Sequence, residues 1–537
     1  MNSNIFDKKH WIVAIVAIAV VGVVVQYRYM NEFPAFIHSW SQTDRYSIAI
    51  GFLNNDFDLF HPETLIYNKQ FPHWWKTDSG STITSVDLPL MEYIVATIMK
   101  LTDSTQPWIF RLCTFLASLT AVWFVYLFGR RLGCHWLKGL LVAMVAITSP
   151  VFTYYANGFI PSIPAIAFSS AALWLYSKHL NNGSKTKYFN LSVLMLTLSV
   201  LVRMSLAVVL VAVLAFEFLR FLRKETSLWN KVPATILSAI AILSYMLWNK
   251  YLREMYDTMF LSGLMPADSL GETIDLLKQA ADNWKYQYFS QFQQYILATV
   301  AIAAIGFGIY RRCTNICKQT SMKHKPLSLW WLWALCMIGY TMFVIVMVKQ
   351  APDHDYYFLD TLFLPTLLLL MLLLKAIPNI PNKVIATAMV FILIGAATTK
   401  MTVDVAKNQK VRRDYNDRSY QTAQNYQGAE EFLDSQGVPH DAKILALYAY
   451  PQNTPFILMN RKGYTEMWYD EDIIEAGLYT FDYDYIVIEN DRYRKEFDYH
   501  RKYLNRLQRI ADNGKIALCR YTDTVVCITA DDFFEHK

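Results

Sequence analysis

From Trp40 the chain reads Trp40-Ser41-Gln42-Thr43-Asp44-Arg45-Tyr46, a run of hydrogen-bonding side chains around two adjacent opposite charges. A helical pattern follows at 47–53, then Asn54-Asn55-Asp56-Phe57-Asp58-Leu59-Phe60-His61-Pro62. Asp44 thus stands directly before a predicted helix, where two kinds of chemistry suit it. A carboxylate there can cap free backbone N–H groups, or it can be a catalytic carboxylate held rigid at the helix start. Other reactive types recur further on: Arg111 closes Pro107-Trp108-Ile109-Phe110-Arg111, Arg203 interrupts an apolar stretch, and Lys349 leads into Asp353-His354-Asp355-Tyr356-Tyr357. Acids, a histidine, cations and aromatics together suit an acceptor hydroxyl, a general base and a phosphate leaving group.

These groups are set in a chain with the balance of a membrane protein. Of 537 residues 54% are hydrophobic and only 18% charged, with a mean hydropathy of +0.19. A soluble surface needs more charge than this. Up to about Met401 long apolar runs alternate with short basic segments; beyond it the chain turns polar, rich in Asp, Glu, Tyr and Asn. The expected domains are therefore a transmembrane part, 1–401, with a long loop at 31–106, and a soluble C-terminal part, 402–537. The net charge of +6 sits in short inter-span loops, as topology-setting charge does, so nucleic acid is not an expected partner. The first apolar run, 11–25, follows Lys8 and Lys9 and has no small-residue cleavage site after it, which reads as an uncleaved anchor.

Loop charge gives one consistent topology. The segments carrying Lys8 and Lys9, then Arg130, Arg131 and Lys138, then Lys178, Lys185 and Lys187, then Arg220, Arg223, Lys224 and Lys231, then Arg311, Arg312, Lys318, Lys323 and Lys325, and finally Lys375 and Lys383 would be cytoplasmic; Asp7 and Glu225 are their clear acids. Between Lys138 and Lys178 the apolar stretch is too long for one crossing and basic at both ends, so it must be a hairpin with its apex at 157–164. The stretch 188–219 would run about 48 Å as one helix, against a hydrocarbon core of about 30 Å; it too folds back, at Arg203. The result is a polytopic α-helical protein of about eleven spans in the inner (cytoplasmic) membrane, its N-terminus cytoplasmic, its 31–106 loop and its C-terminal domain periplasmic. Arg203 and Lys349 then border one outer cavity or snorkel to the interface. The stretch after Asp87-Leu88-Pro89-Leu90-Met91-Glu92-Tyr93 is short for a crossing and fits a helix lying in the interface.

The C-terminal part reads as α/β, with strands at 442–447 and 485–489. A hairpin of 516–519 and 525–529 would set Cys519 across from Cys527, where an oxidising compartment allows a disulfide. Cys313-x-x-x-Cys317 has no second pair or histidine at ligand spacing and is not read as a metal site.

In these motifs the chain resembles the GT-C membrane glycosyltransferases, the superfamily of the protein O-mannosyltransferases and the lipid A aminoarabinose transferase, and within it the bacterial dolichyl-phosphate-mannose-type enzymes. The resemblance rests on Trp40-Ser41-Gln42-Thr43-Asp44 with Pro62, on Pro89-Leu90-Met91-Glu92-Tyr93, on Arg111, on His354-Asp355-Tyr356-Tyr357 with Pro365, and on Pro451-Gln452-Asn453-Thr454-Pro455 followed by Asn460-Arg461-Lys462-Gly463-Tyr464. It implies a GT-C fold and an inverting hexosyl or pentosyl transfer from a polyprenyl-phosphate-linked donor to a lipid, glycan or protein acceptor. Asp44 becomes the catalytic carboxylate. Arg203, Arg111 and Lys349 become the cations for the donor phosphate, and Trp40, Gln42, Arg45, His354, Tyr356 and Tyr357 line the substrate pocket. Metal use varies in the family, so a divalent ion held by Asp44 and His354 is left open. Two departures stand out: Ser162 where relatives often have Asp, and Asp87 before Leu88-Pro89 where some have Lys. The rival classes are a transporter or lipid flippase, which predicts repeated halves and mid-membrane charges, and a non-catalytic membrane scaffold.

Overall fold

The computed structural model describes residues 8–67, 80–181, 183, 185–258, 263–314, 326–379, 384–467 and 471–535. Asp7, Cys317 and the basic residues Lys318, Lys323, Lys325 and Lys383 lie outside them. The chain divides into two compact units, one of residues 1–31, 111–246 and 263–411, the other of 32–110, 247–262 and 412–537.

Long apolar runs in the first unit become helices because lipid offers backbone N–H and C=O groups no partner. Among the described residues, eight helices are long and apolar enough to cross a membrane: His10–Tyr29, Pro107–Arg131, Met204–Leu222, Val232–Tyr256, Gln291–Thr314, Leu329–Val346, Asp355–Ala376 and Val384–Val411. Shorter apolar helices cover Trp136–Ile147 and Thr186–Val202, and a 20-residue helix, Ser162–Asn181, lies between them in sequence. The protein is a polytopic helical membrane protein. Asp355–Ala376 is largely buried, whereas Gln291–Thr314 and Val384–Val411 keep most of their length open. Apolar side chains such as Ile302 and Leu393 are exposed there, as lipid-facing side chains are.

Both over-long stretches fold back. The chain turns at 156–161, and at the far end of Ser162–Asn181 the Asn181 amide donates to the Arg131 carbonyl at 3.0 Å, beside the start of Trp136–Ile147. Thr186–Val202 then packs on Ser162–Asn181 through small residues: Ser199 Oγ donates to the Ala165 carbonyl at 2.7 Å and Ser192 Oγ to that of Ala172 at 2.8 Å. Small side chains allow this close approach. Arg203 breaks the helix in extended conformation (φ −154°, ψ 103°). The returning helix, Ala207–Leu222, brings Glu217 back to His179 near the end of Ser162–Asn181.

The second unit is built on a five-stranded sheet of order β2-β1-β3-β5-β4. Its strands are β1 (Ile444–Leu447), β2 (Gly463–Glu466), β3 (Tyr485–Glu489), β4 (Leu507–Asp512) and β5 (Ile516–Tyr521). β1 runs parallel to β2 and β3; β5 pairs antiparallel with β3 and with β4. Parallel strands are covered on both faces, which suits the apolar runs of β1 and β3. The two expected strands are present. The expected hairpin is not: residues 525–529 form no strand, and β5 pairs with β4 instead. Cys519 therefore faces Ile486 and Arg509 across the sheet. Both Cys519 and Cys527 are buried free thiols.

The 32–110 segment joins this sheet directly. Ile66 bridges Gly463 in parallel at the β2 edge, with Gly463 N donating to Leu65 O at 3.1 Å and Tyr67 N to Gly463 O at 2.9 Å. Lys462 pairs with Glu63 at 2.6 Å. Two close approaches need glycine: within the 32–110 segment a Cβ on Gly51 would stand 2.1 Å from the Glu63 carbonyl, and between β2 and β1 one on Gly463 would stand 1.9 Å from that of Ile444.

Candidate active site

Asp44 is not a helix cap. Its helix spans Ser39–Asn54, eight residues earlier at its start than the pattern predicts, with His38 (φ 55°) at the N-cap. The run Ser39–Thr43 looks like cap and turn sequence because short polar side chains compete for the backbone. Here they are satisfied within the helix and across it: Thr43 Oγ1 donates to the Ser39 carbonyl and Ser39 Oγ to Ser419 Oγ, each at 2.8 Å. Asp44 therefore falls in the second turn on a buried face.

Its carboxylate is 2% exposed and meets the loop that follows β1. Asn453 Nδ2 donates to Oδ1 at 2.7 Å and Gln452 Nε2 to the same oxygen at 3.3 Å. No hydrogen bond reaches Oδ2 among the described residues. Burial pushes the Asp44 carboxyl up to about 7; the two amides and neighbouring Arg45 oppose the rise but do not cancel it. Such a group is divided between acid and base near neutral pH, as a general base requires. Arg45 leaves much of its charge elsewhere, donating to Asp87 Oδ2 at 3.0 Å and Glu92 Oε1 at 3.2 Å, all three side chains buried. Asp87 thus answers Arg45.

The remaining expected pocket residues of this unit are placed as follows. Trp40 meets Tyr450 edge to face, ring centroids 6.0 Å apart, and Arg418 lies over Tyr450 at 5.3 Å. Gln42 is buried and donates to the Ile37 carbonyl at 2.8 Å, a contact that shapes the turn before the helix.

In the first unit the structure brings Arg203, Tyr356, Tyr357 and His354 together. Arg203 Nε donates to Asp360 Oδ2 at 2.7 Å, as does Ser205 Oγ at 2.5 Å. The guanidinium lies 4.9 and 5.3 Å from the ring centres of Tyr356 and Tyr357, and the His354 ring packs on both tyrosines. Arg111 and Lys349 have other partners. Arg111 donates to the Asn157 carbonyl at 2.9 Å and lies over Phe159, holding the apex of the first hairpin; Lys349 pairs with Asp268 at 2.8 Å.

Comparison with known proteins gives a partial family match and a shared fold. A family model described as dolichyl-phosphate-mannose-protein mannosyltransferase matches residues 87–249, a stretch containing Arg111 and Arg203 but not Asp44. The crystal structure of the Archaeoglobus fulgidus oligosaccharyltransferase in the apo form aligns with a TM-score of 0.52 at 13% identity, covering 92% of this chain and 71% of that one. At that identity the likeness is one of fold. ArnT from Cupriavidus metallidurans is also similar: its apo structure aligns at 10% identity with a TM-score of 0.49, covering 96% of this chain and 98% of that one. Its structure bound to undecaprenyl phosphate aligns at 11% identity with a TM-score of 0.47, covering 95% and 97%. A search of curated proteins gives no match.

For a metal, the donor set at Asp44 fits poorly. Its occupied oxygen receives two amide N–H groups, which turn their positive ends toward the place a cation would take. Among the described residues the one group of three or more ligand-type side chains is Glu430, Asp434 and His440. There the Arg461 guanidinium already bonds Asp434 at 2.6 Å and His440 at 2.8 Å.

Sequence reading passed over Gln452, Asn453, Tyr450 and Asp360 as site residues. The first two lie in the Pro451–Pro455 motif that carried part of the resemblance, though nothing in it says what the amides touch. Asp360 did leave a signal, since an acid inside an apolar span calls for a partner.

Proposed function

We propose that this chain is a glycosyltransferase that moves a hexose or pentose from a polyprenyl-phosphate donor to an acceptor hydroxyl on the non-cytoplasmic face of the inner membrane. The observation that carries the reading is Asp44: a buried carboxylate poised near neutrality, one oxygen held by amides, the other without a hydrogen-bond donor among the described residues. The family match supports the donor class, because the matched family is described by a polyprenyl-phosphate sugar. Asp44 Oδ2 would take the proton of the acceptor hydroxyl as its oxygen attacks the anomeric carbon. The bond to the lipid phosphate breaks on the opposite side, so the configuration inverts. Arg203, with Tyr356 and Tyr357 beneath it, would receive the departing phosphate through charge-assisted hydrogen bonds. Arg111 would act indirectly, by fixing the 157–161 apex, and Lys349 from its pair with Asp268.

Membranes containing the full chain, incubated with a panel of radiolabelled polyprenyl-phosphate hexoses and pentoses, should transfer label to endogenous acceptor from at least one of them. Transfer from none, with transfer by a known glycosyltransferase in parallel, removes the proposal and returns the chain to the flippase or scaffold reading. Sidedness has its own test: a reporter active only outside the cytoplasm should give signal when fused after Met401 and none at Lys318.

A further inference from the structure

We propose that the C-terminal domain completes the active site, with Asn453, assisted by Gln452, as the positioning residue that holds the Asp44 carboxylate and leaves Oδ2 to the acceptor. The proposal rests on the reading of Asp44 as general base.

Three observations carry it. The first is where the loop sits. In open sheets with parallel strands, ligands bind at the carboxyl ends of strands where the strand order reverses. The order β2-β1-β3 puts that point beside β1. The loop 448–453 leaves β1 there, and what it meets is not a free ligand but the Ser39–Asn54 helix with Asp44. A place where such sheets recognise small molecules here grips a carboxylate of the same chain.

The second is how Asn453 is used. Asparagine immediately before a helix ordinarily caps it. Asn453 occupies that position before Thr454–Met459 yet makes no cap hydrogen bond. Its side chain is turned instead to Asp44 and is fully buried. Leu65 N donates to its Oδ1 at 3.4 Å, which fixes the amide so that Nδ2, not oxygen, faces the carboxylate.

The third is the bracing of the loop. Arg418 donates to the Tyr448 carbonyl at 2.7 Å. Glu489, at the end of β3, accepts from Thr422 Oγ1 at 2.6 Å, and Thr422 Oγ1 in turn accepts from Tyr450 N at 3.4 Å. A positioning group must itself be held, and this loop is held from both sides. Among the described residues, the charged and titratable groups that interact with Asp44 are Arg45 on its own helix, neutralised by Asp87 and Glu92 from the 87–92 segment, and Tyr450 from the C-terminal segment. None of them offers Asp44 a hydrogen bond, so the ionised form depends on the two amides.

The test is the pH dependence of kcat/KM in membranes holding full-length protein, with the radiolabelled polyprenyl-phosphate sugar that wild-type membranes consume. Hydrogen bonds to a carboxylate favour its charged form. Asn453→Ala should therefore move the acid limb up by about one pH unit, with activity recovering on the alkaline side and the KM for the donor unchanged. Asn453→Asp, which keeps the size and the Leu65 contact but replaces donor with acceptor, should move it further. Gln452→Ala should move it in the same direction by less, its contact being 3.3 rather than 2.7 Å; it decides the matter if the Asn453 variants do not accumulate. An unmoved acid limb in these variants, or a loss equal at every pH, overturns the positioning role while Asp44→Asn remains inactive. Full activity of Asp44→Asn overturns the base reading itself, and the positioning role with it.

Discussion

Two buried carboxylates, one in each unit, have opposite surroundings. Glu217 on the Ala207–Leu222 helix is met by Tyr176 Oη and Arg220, each at 2.7 Å, by His179 Nε2 at 3.1 Å, and by Lys231. Asp44 is met by two neutral amides on one oxygen, and the adjacent Arg45 is turned to other acids. Both lose water on burial; only Glu217 is given cations in return. A carboxylate so surrounded is a fastening for three helix ends and has no vacancy for a proton from outside. The under-compensated one keeps its affinity for protons near neutrality, which is costly for folding and useful for catalysis. Burial alone therefore does not mark a functional acid; the difference lies in what the neighbours supply.

The largest effect expected of this contrast is on turnover. Asp44→Asn should fold and insert yet lose on the order of 10²–10⁴-fold in transfer rate, the range for a positioned general base. Asp56→Asn and Asp58→Asn, beyond the end of the helix, should keep most activity. The reverse pattern in a labelled-sugar assay would strip Asp44 of its role. Glu217→Ala should behave in the opposite way. It leaves Arg220 and Lys231 buried without their acid, a change of about 3–5 kcal/mol, so melting temperature and membrane yield should fall while each surviving molecule turns over normally. A stable Glu217→Ala protein with no activity would erase the distinction drawn here.

The third expectation is in stability against pH. The folded carboxyl of Asp44 lies at about 7, above its ordinary 3.8, so above neutrality the folded state carries a buried charge that the unfolded state solvates freely. The folded form takes up its proton first as pH falls, and the penalty shrinks from about pH 7 down to about pH 4, where it vanishes. Asp44→Asn should therefore melt at a higher temperature than wild type at pH 8, by a free-energy difference of at most about 4 kcal/mol, and the gain should disappear toward pH 4. A gain independent of pH would mean the carboxyl is not perturbed. The smallest effect concerns Arg203. Replacing it by Ala together with Asp360→Asn, so that no buried carboxylate is orphaned, should weaken donor binding by about 1.5–3 kcal/mol. Unchanged affinity in a competition assay would move the phosphate to Arg111 or Lys349.

Much of the architecture was legible because lipid and loop charge impose simple rules. The hairpin at 157–164 and the break at Arg203 follow from length alone: neither stretch fits one crossing. β1 and β3 announce themselves as short apolar runs. The failures share a cause. At Asp44 local propensity favoured a cap, but Ser39 and Asp44 take partners from the C-terminal segment, and the helix begins before them. At 525–529 alternation resembled a strand, but the edge it would have paired with is taken by β4.

The amino-acid order by itself determined which residues enter lipid, where the chain must turn back, and that Asp44, Arg203 and the His354–Tyr357 cluster are chemically unusual. These are consequences of side-chain type, length and charge, which need no partner to be read. Only the tertiary structure decided that Asn453 and Gln452, about 400 residues away in sequence, hold the carboxylate, that Asp360 answers Arg203, and that Arg45 belongs to Asp87 and Glu92. Hydrogen bonds and ion pairs depend on distances of a few tenths of an ångström between groups whose separation along the chain carries no information about their separation in space.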